Sequence, residues 1–130
     1  MHRRMTTVED VMTTALTTIH PEQPVESADL EMKLADVRHI PVVGPKNRLV
    51  GILSNRDLLR SLGGPRGRSI GDIMTRRVHT VRASDPARRA VDLLLEHKIG
   101  CVPVLGEEEQ LVGIVTETDF LRIARDNLRD

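Results

Sequence analysis

Two stretches of the chain carry the residues that could do chemistry. The first reads Gly51-Ile52-Leu53-Ser54-Asn55-Arg56-Asp57-Leu58-Leu59-Arg60. The second, 62 positions later, reads Gly113-Ile114-Val115-Thr116-Glu117-Thr118-Asp119-Phe120-Leu121-Arg122. In each, a hydroxyl stands three residues ahead of a carboxylate, and two chemistries fit that spacing. One is a capping box, in which the hydroxyl satisfies free backbone N–H groups and the acid suits the positive end of a helix. The other is ligand binding. A strand-to-helix junction presents N–H groups that attract phosphate, and a carboxylate there suits the vicinal hydroxyls of a ribose. Gly51 and Gly113 would be close-packing glycines or would let a ligand approach the backbone. Capping alone does not account for glycine, hydroxyl, aspartate and arginine returning together.

The elements that position these residues repeat with the same offset, which marks a duplicated supersecondary unit. Val8-Glu9-Asp10-Val11-Met12-Thr13 returns as Ile70-Gly71-Asp72-Ile73-Met74-Thr75, with Asp10 and Asp72 expected to begin short helical turns. Leu16–Ile19 and Val78–Val81 have the β-branched alternation of short strands. Asp85-Pro86 predicts a helix start, Asp at the N-cap and Pro at the first helical position; Gln23-Pro24 is a weaker version. Val25, Ala28, Met32 and Ala35 share one helical face, as do Ala87, Ala90, Leu94 and His97, while Val91, Leu93 and Leu95 widen the second helix's apolar surface. His39–Val43 and Cys101–Leu105 predict strands whose prolines, Pro41 and Pro103, belong at an edge or beside a site. Return strands follow the loops Pro45–Asn47 and Glu107–Glu109, then helices Asn55–Leu62 and Glu117–Asn127. The fold class is α+β: β-α-β-β-α twice, at residues 6–62 and 69–126, joined by a Gly-rich basic linker at 63–68.

With 130 residues, each copy alone is marginal and a shared core is expected. The formal net charge is zero, so no global field draws nucleic acid or a membrane surface. Arg66, Arg68, Arg76 and Arg77 form a basic cluster that acidic residues elsewhere cancel. Phe120 is the single aromatic residue, so bases have no stacking platform. No apolar run approaches the ~20 residues of a membrane span. Met1-His2-Arg3-Arg4-Met5-Thr6-Thr7 lacks the apolar region of a signal peptide, and Cys101 has no partner for an intrachain disulfide. A cytoplasmic protein is expected. His2, His20, His39, His79 and His97 show no metal-ligand spacing, though His39 and His79 could reach a ligand. No nucleophile elbow, Walker loop or His/carboxylate cluster appears, so no catalytic residue, metal or catalytic cofactor is assigned.

The pattern Gly-h-x-Ser/Thr-x-x-Asp (h is an apolar residue), the upstream h-Pro-Val and the opening h-x-Asp-h-Met-Thr together resemble cystathionine-β-synthase (CBS) domains, from about Val8 to Ala124. The resemblance implies two repeats packed with pseudo-twofold symmetry into one stand-alone regulatory module. It implies clefts for AMP, ADP or ATP, with S-adenosylmethionine as an alternative. Carried over, one cleft would use Ser54, Arg56 and Asp57 with Thr75, Val78, Gly100, Cys101 and Pro103. The other would use Thr116, Thr118 and Asp119 with Thr13, Leu16, Arg38, His39 and Pro41. Arg56, a fixed cation, is replaced by Thr118 in the second copy, so polyphosphate is expected to favour the Asp57 cleft. Apolar helix faces near Leu30, Leu34, Leu93 and Leu95 imply a homodimer acting on a further, unidentified protein. The contrasting reading is an assembly module that binds nucleic acid or no small molecule.

Overall fold

The computed structural model describes residues 6–129; the reading of the first five residues as part of no signal peptide, and His2, lie outside them. The chain divides into two compact units. One is continuous, Thr17–Val78. The other is discontinuous, built from the segment ending at Leu16 and the segment from His79 onward.

In the continuous unit, helix α2 (Val25–Ala35) buries Ala28 and Met32. Its apolar positions recur at i, i+3 and i+7, which places them on one stripe. It ends at Asp36, whose left-handed φ of 54° closes the last turn with an N–H bond to the Met32 carbonyl. Strand β1 (His39–Val43) pairs antiparallel with β2 (Leu49–Ser54), His39 opposite Ser54 and Pro41 opposite Ile52. The intervening Pro45–Asn47 is a tight 3-10 turn with Lys46 and Asn47 at positive φ. Helix α3 (Asn55–Ser61) leaves β2 directly, and a single-turn helix α4 (Ile70–Ile73) completes the unit. Ile19, Ala28, Met32, Ile40, Val42, Leu53, Leu58, Ile70 and Met74 form its core.

The discontinuous unit repeats the plan. Its opening turn α1 (Val8–Val11) packs on α5 (Ala87–His97) and β5 (Leu111–Thr116). Strand β3 (Val81–Arg82) runs parallel to β4 (Cys101–Leu105), which is antiparallel to β5, in the order β3-β4-β5. Helix α6 (Glu117–Asn127) follows β5. Val8, Val81, Ala90, Leu94, Val102, Val104 and Val115 form a core of their own. Two cores thus stand where length had suggested one, and the copies share each: Ile70 and Met74 of the second copy join the first core, and Val8 of the first copy joins the second.

The opening turns have changed partners. The Val8 N–H donates to the Asp85 carbonyl at 2.8 Å and the Glu9 N–H to Ala83 at 3.0 Å. The first copy's opening thus docks on the turn between β3 and α5 of the second copy. In the same way the Ile70 N–H donates to Gln23 and the Gly71 N–H to Pro21, both at 2.8 Å.

Three local expectations change. The strand expected over Leu16–Ile19 reduces to one parallel bridge, Ile19 to Val42, and Val78–Val81 supplies strand only from Val81. The His20 N–H turns to the Gln23 side chain at 2.7 Å, which ends the ladder. Asp85 does not cap α5: Pro86 holds the N-cap place and Asp85 accepts the Arg82 N–H at 2.8 Å, closing the preceding turn instead. Asp10 and Asp72 lie inside their short helices as the acids of capping boxes whose N-caps are Thr7 and Ser69. Pro103 sits in the middle strand of its sheet. The backbone of Ile114, opposite it, bonds outward to Thr13, and β4 pairs with β3 only from Val104, so no described ladder bond needs the missing proline N–H.

Candidate functional site

Ser54 ends β2 with extended φ/ψ (−104°, 161°) and becomes the N-cap of α3. Its hydroxyl accepts the Asp57 N–H at 3.1 Å, and its own N–H donates to Asp57 Oδ2 at 2.9 Å. The capping box expected of Ser-x-x-Asp is therefore formed. A cap does not require burial, yet Asp57 is only 8% exposed and is the one charged side chain buried among the described residues. Burying a carboxylate is costly unless it is hydrogen-bonded, and a third group supplies that. The Thr75 hydroxyl lies 3.4 Å from Oδ2 and 3.5 Å from Oδ1. Thr75 is brought there by two backbone bonds with Ile52, both 2.9 Å, along the open side of β2.

The discontinuous unit builds the same centre from Thr116, Asp119 and Thr13. The Thr116 N–H and hydroxyl donate to Asp119 Oδ2 at 2.8 and 3.2 Å. The Thr13 hydroxyl donates to Oδ1 at 3.2 Å across 106 residues of sequence. Thr13 is held by two bonds with Ile114, at 2.8 and 3.0 Å. Asp119 is half-buried.

The glycines do not open the backbone to a ligand, as one sequence reading allowed. A β-carbon at Gly51 would stand 2.7 Å from Met74 Sδ and 2.9 Å from the Thr75 carbonyl oxygen. At Gly113 it would stand 2.6 Å from Met12 Sδ and 3.2 Å from the Thr13 carbonyl oxygen. Each methionine of the opening motif fills the space its glycine leaves, and this seats the following threonine beside the carboxylate.

The remaining expected residues are placed as follows. Arg56 and Thr118 are exposed one position before their aspartates. Arg38 is exposed, and its carbonyl accepts the Asn55 N–H at 2.8 Å. His39 is half-buried opposite Ser54, and Pro41 is buried. Val78 and Leu16 are half-buried outside any strand. The Gly100 carbonyl accepts the Glu117 N–H at 3.3 Å. Pro103 is buried. Cys101 is buried opposite Thr116, and burial pushes its thiol up to about 12. That makes it a small apolar wall rather than a nucleophile or thiolate ligand. His79 stacks on His97, centroids 3.8 Å apart.

Sequence reasoning missed a groove in the continuous unit. Asp57, Arg60, Ser61, Arg68, Asp72 and Ile73 line an open cavity of about 200 Å³. The Arg68 guanidinium donates to the Ser61 carbonyl at 3.0 Å. The Ser69 N–H and hydroxyl hold the Asp72 carboxyl below the usual range, with Arg68 and Arg76 adding attraction. The spacing of Asp57, Arg60 and Ser61 (i, i+3, i+4) was the available signal.

Comparison with known proteins agrees with this architecture. The CBS domain model matches residues 8–64 and again 70–126. Inosine-5'-monophosphate dehydrogenase of Halobacterium salinarum is 38% identical over 113 residues, covering 87% of this chain but 22% of that enzyme. The chain thus spans under a quarter of that relative. Among solved structures, CBSX2 of Arabidopsis thaliana, in complex with AMP, is 32% identical with TM-score 0.85, covering 95% of this chain and 98% of that one. The CBS domain pair of protein MJ0100, in complex with 5'-methylthioadenosine and S-adenosyl-L-methionine, is 27% identical with TM-score 0.88, covering 96% and 100%. With two matched copies of the domain filling most of its length, the chain belongs to the CBS domain family.

Proposed function

We propose that this chain is a non-catalytic regulatory or sensor module that binds an adenosine-containing ligand, AMP, ADP or ATP, at its carboxylate centres. The observation that carries this reading is the twofold occurrence of a hydroxyl–carboxylate–threonine constellation, buried at Asp57, at a strand-to-helix junction. A carboxylate whose Oδ2 is anchored by a backbone N–H keeps lone pairs for a ribose diol. The AMP and S-adenosyl-L-methionine named in the neighbours' complexes share adenosine, and this supports the same class here. The ligand would regulate through its difference in affinity for two conformations of the chain, passed on to another protein. Exposed Leu30, Leu34 and Leu95 (57%, 74% and 71%) support a homodimer, whereas Leu93 packs partly on its own core. The lone buried cysteine is consistent with a cytoplasmic location; among the described residues no helix is long and apolar enough to cross a membrane.

Isothermal titration calorimetry against AMP, ADP, ATP and S-adenosylmethionine tests the reading. Hydrogen bonds to a charged group are worth roughly 1.5–3 kcal/mol. Asp57→Ala or Asp119→Ala is therefore expected to weaken binding at its own centre by roughly one to two orders of magnitude in a folded protein. Silence from all four ligands, with both variants merely less stable, would leave the motif as a helix cap and make the chain an assembly module.

A further inference from the structure

We propose that Thr13 and Thr75 are positioning residues that set the discrimination between ribose and 2′-deoxyribose. Each would do so by fixing the plane of the carboxylate beside it. The proposal rests on the adenosine reading above and adds to it a role for the opening motif.

An aspartate's terminal torsion is broad. Locally only Oδ2 is anchored, on the Ser54 N–H in one centre and on the Thr116 N–H and hydroxyl in the other, and the second oxygen is left free to swing. A diol that donates to both oxygens needs that swing removed, and a donor from another element removes it before the ligand arrives. Thr13 is built for this. Its backbone is tied twice to Ile114, Met12 beside it is wedged over Gly113, and its hydroxyl reaches Asp119 Oδ1 at 3.2 Å. Its β-branched side chain also has few rotamers. Thr75 is tied the same way to Ile52, but its hydroxyl straddles both oxygens of Asp57 at 3.4 and 3.5 Å. The lock is therefore tighter on Asp119. A 2′-deoxyribose offers one hydroxyl and gains nothing from a fixed plane.

The test is calorimetric titration of the full chain with AMP and ATP and with their 2′-deoxy counterparts. In an Asp57→Ala background, which leaves only the Asp119 centre, Thr13→Val is expected to weaken ribonucleotide binding about tenfold and 2′-deoxynucleotide binding less than about twofold. Thr13→Ser, which keeps the hydroxyl, restores the difference. In an Asp119→Ala background, Thr75→Val is expected to cost about threefold with the same selectivity, and it carries the test if Thr13→Val does not fold. Equal losses for both sugars, or no loss, overturn the positioning role while leaving nucleotide binding intact. No binding of AMP or ATP by the unmutated chain overturns both proposals.

Discussion

Asp57 and Asp119 come from the same motif and accept the same backbone bond, yet their surroundings differ. Asp57 is buried, on a helix of seven residues that packs against α2 and also buries Leu58. Asp119 is half-buried, on a helix of eleven residues that fully buries none of its side chains and leaves Leu121 68% exposed. The threonine contact runs the other way, closer on the half-buried carboxylate than on the buried one. Neighbouring charge differs too: Arg56 and the Arg60/Arg68 groove belong to the continuous unit, while Glu117 and Thr118 stand at the matching start of α6. One motif thus yields a desolvated centre beside guanidinium groups and a wetter centre beside an extra acid. Desolvation strengthens any charge-assisted bond made there.

The largest test of that contrast is steric. Gly51→Ala forces a methyl group to 2.9 Å from a backbone carbonyl and against buried Met74. Its expected cost is about 1–3 kcal/mol. Gly113→Ala should cost less, about 1 kcal/mol, because half-buried Met12 has room to move and the carbonyl stands at 3.2 Å. Urea denaturation of the two variants checks the order; equal costs would show that the two units are packed alike.

Charge is the next lever. Exchanging Arg56 and Thr118 (Arg56→Thr with Thr118→Arg) is expected to lower ATP affinity at the Asp57 centre and raise it at the Asp119 centre, each about tenfold. AMP affinity should move less. Calorimetry in the single-aspartate backgrounds reads each centre, and unchanged ATP affinities would remove Arg56 as a phosphate contact.

The smallest expected effect lies at Cys101. Its folded-state value of about 12 is raised above that of the unfolded thiol, near 9. Its contribution to stability is full below pH ~9 and is lost as pH rises toward 12. Iodoacetamide should label the native thiol slowly at pH 8 and the urea-unfolded thiol readily. Rapid native labelling would show that the β4 wall opens.

Much of this was legible in the sequence because it is local. Helical stripes, alternating strands and the three-residue spacing of a capping box are short-range patterns, and Val25–Ala35, Ala87–His97 and Glu117–Asn127 fold with the bounds or faces their periodicity predicts. The recurrence of Met-Thr with Gly and Asp at one offset also marked these residues as one set, and they lie together in each unit. Asp85 misled because the same side chain satisfies either a helix start or the turn before it, and Pro86 took the first role.

The tertiary structure alone decided what those patterns touch. The two opening segments are near copies, and so are β2 and β5, so local preference cannot say which opening pairs with which strand. Long-range backbone bonds choose: Thr13 with Ile114 and Thr75 with Ile52. That choice seats each methionine on its glycine and each threonine on its carboxylate. The full burial of Asp57 and the half-burial of Asp119 follow from how far α3 and α6 pack, which spacing along the chain does not encode.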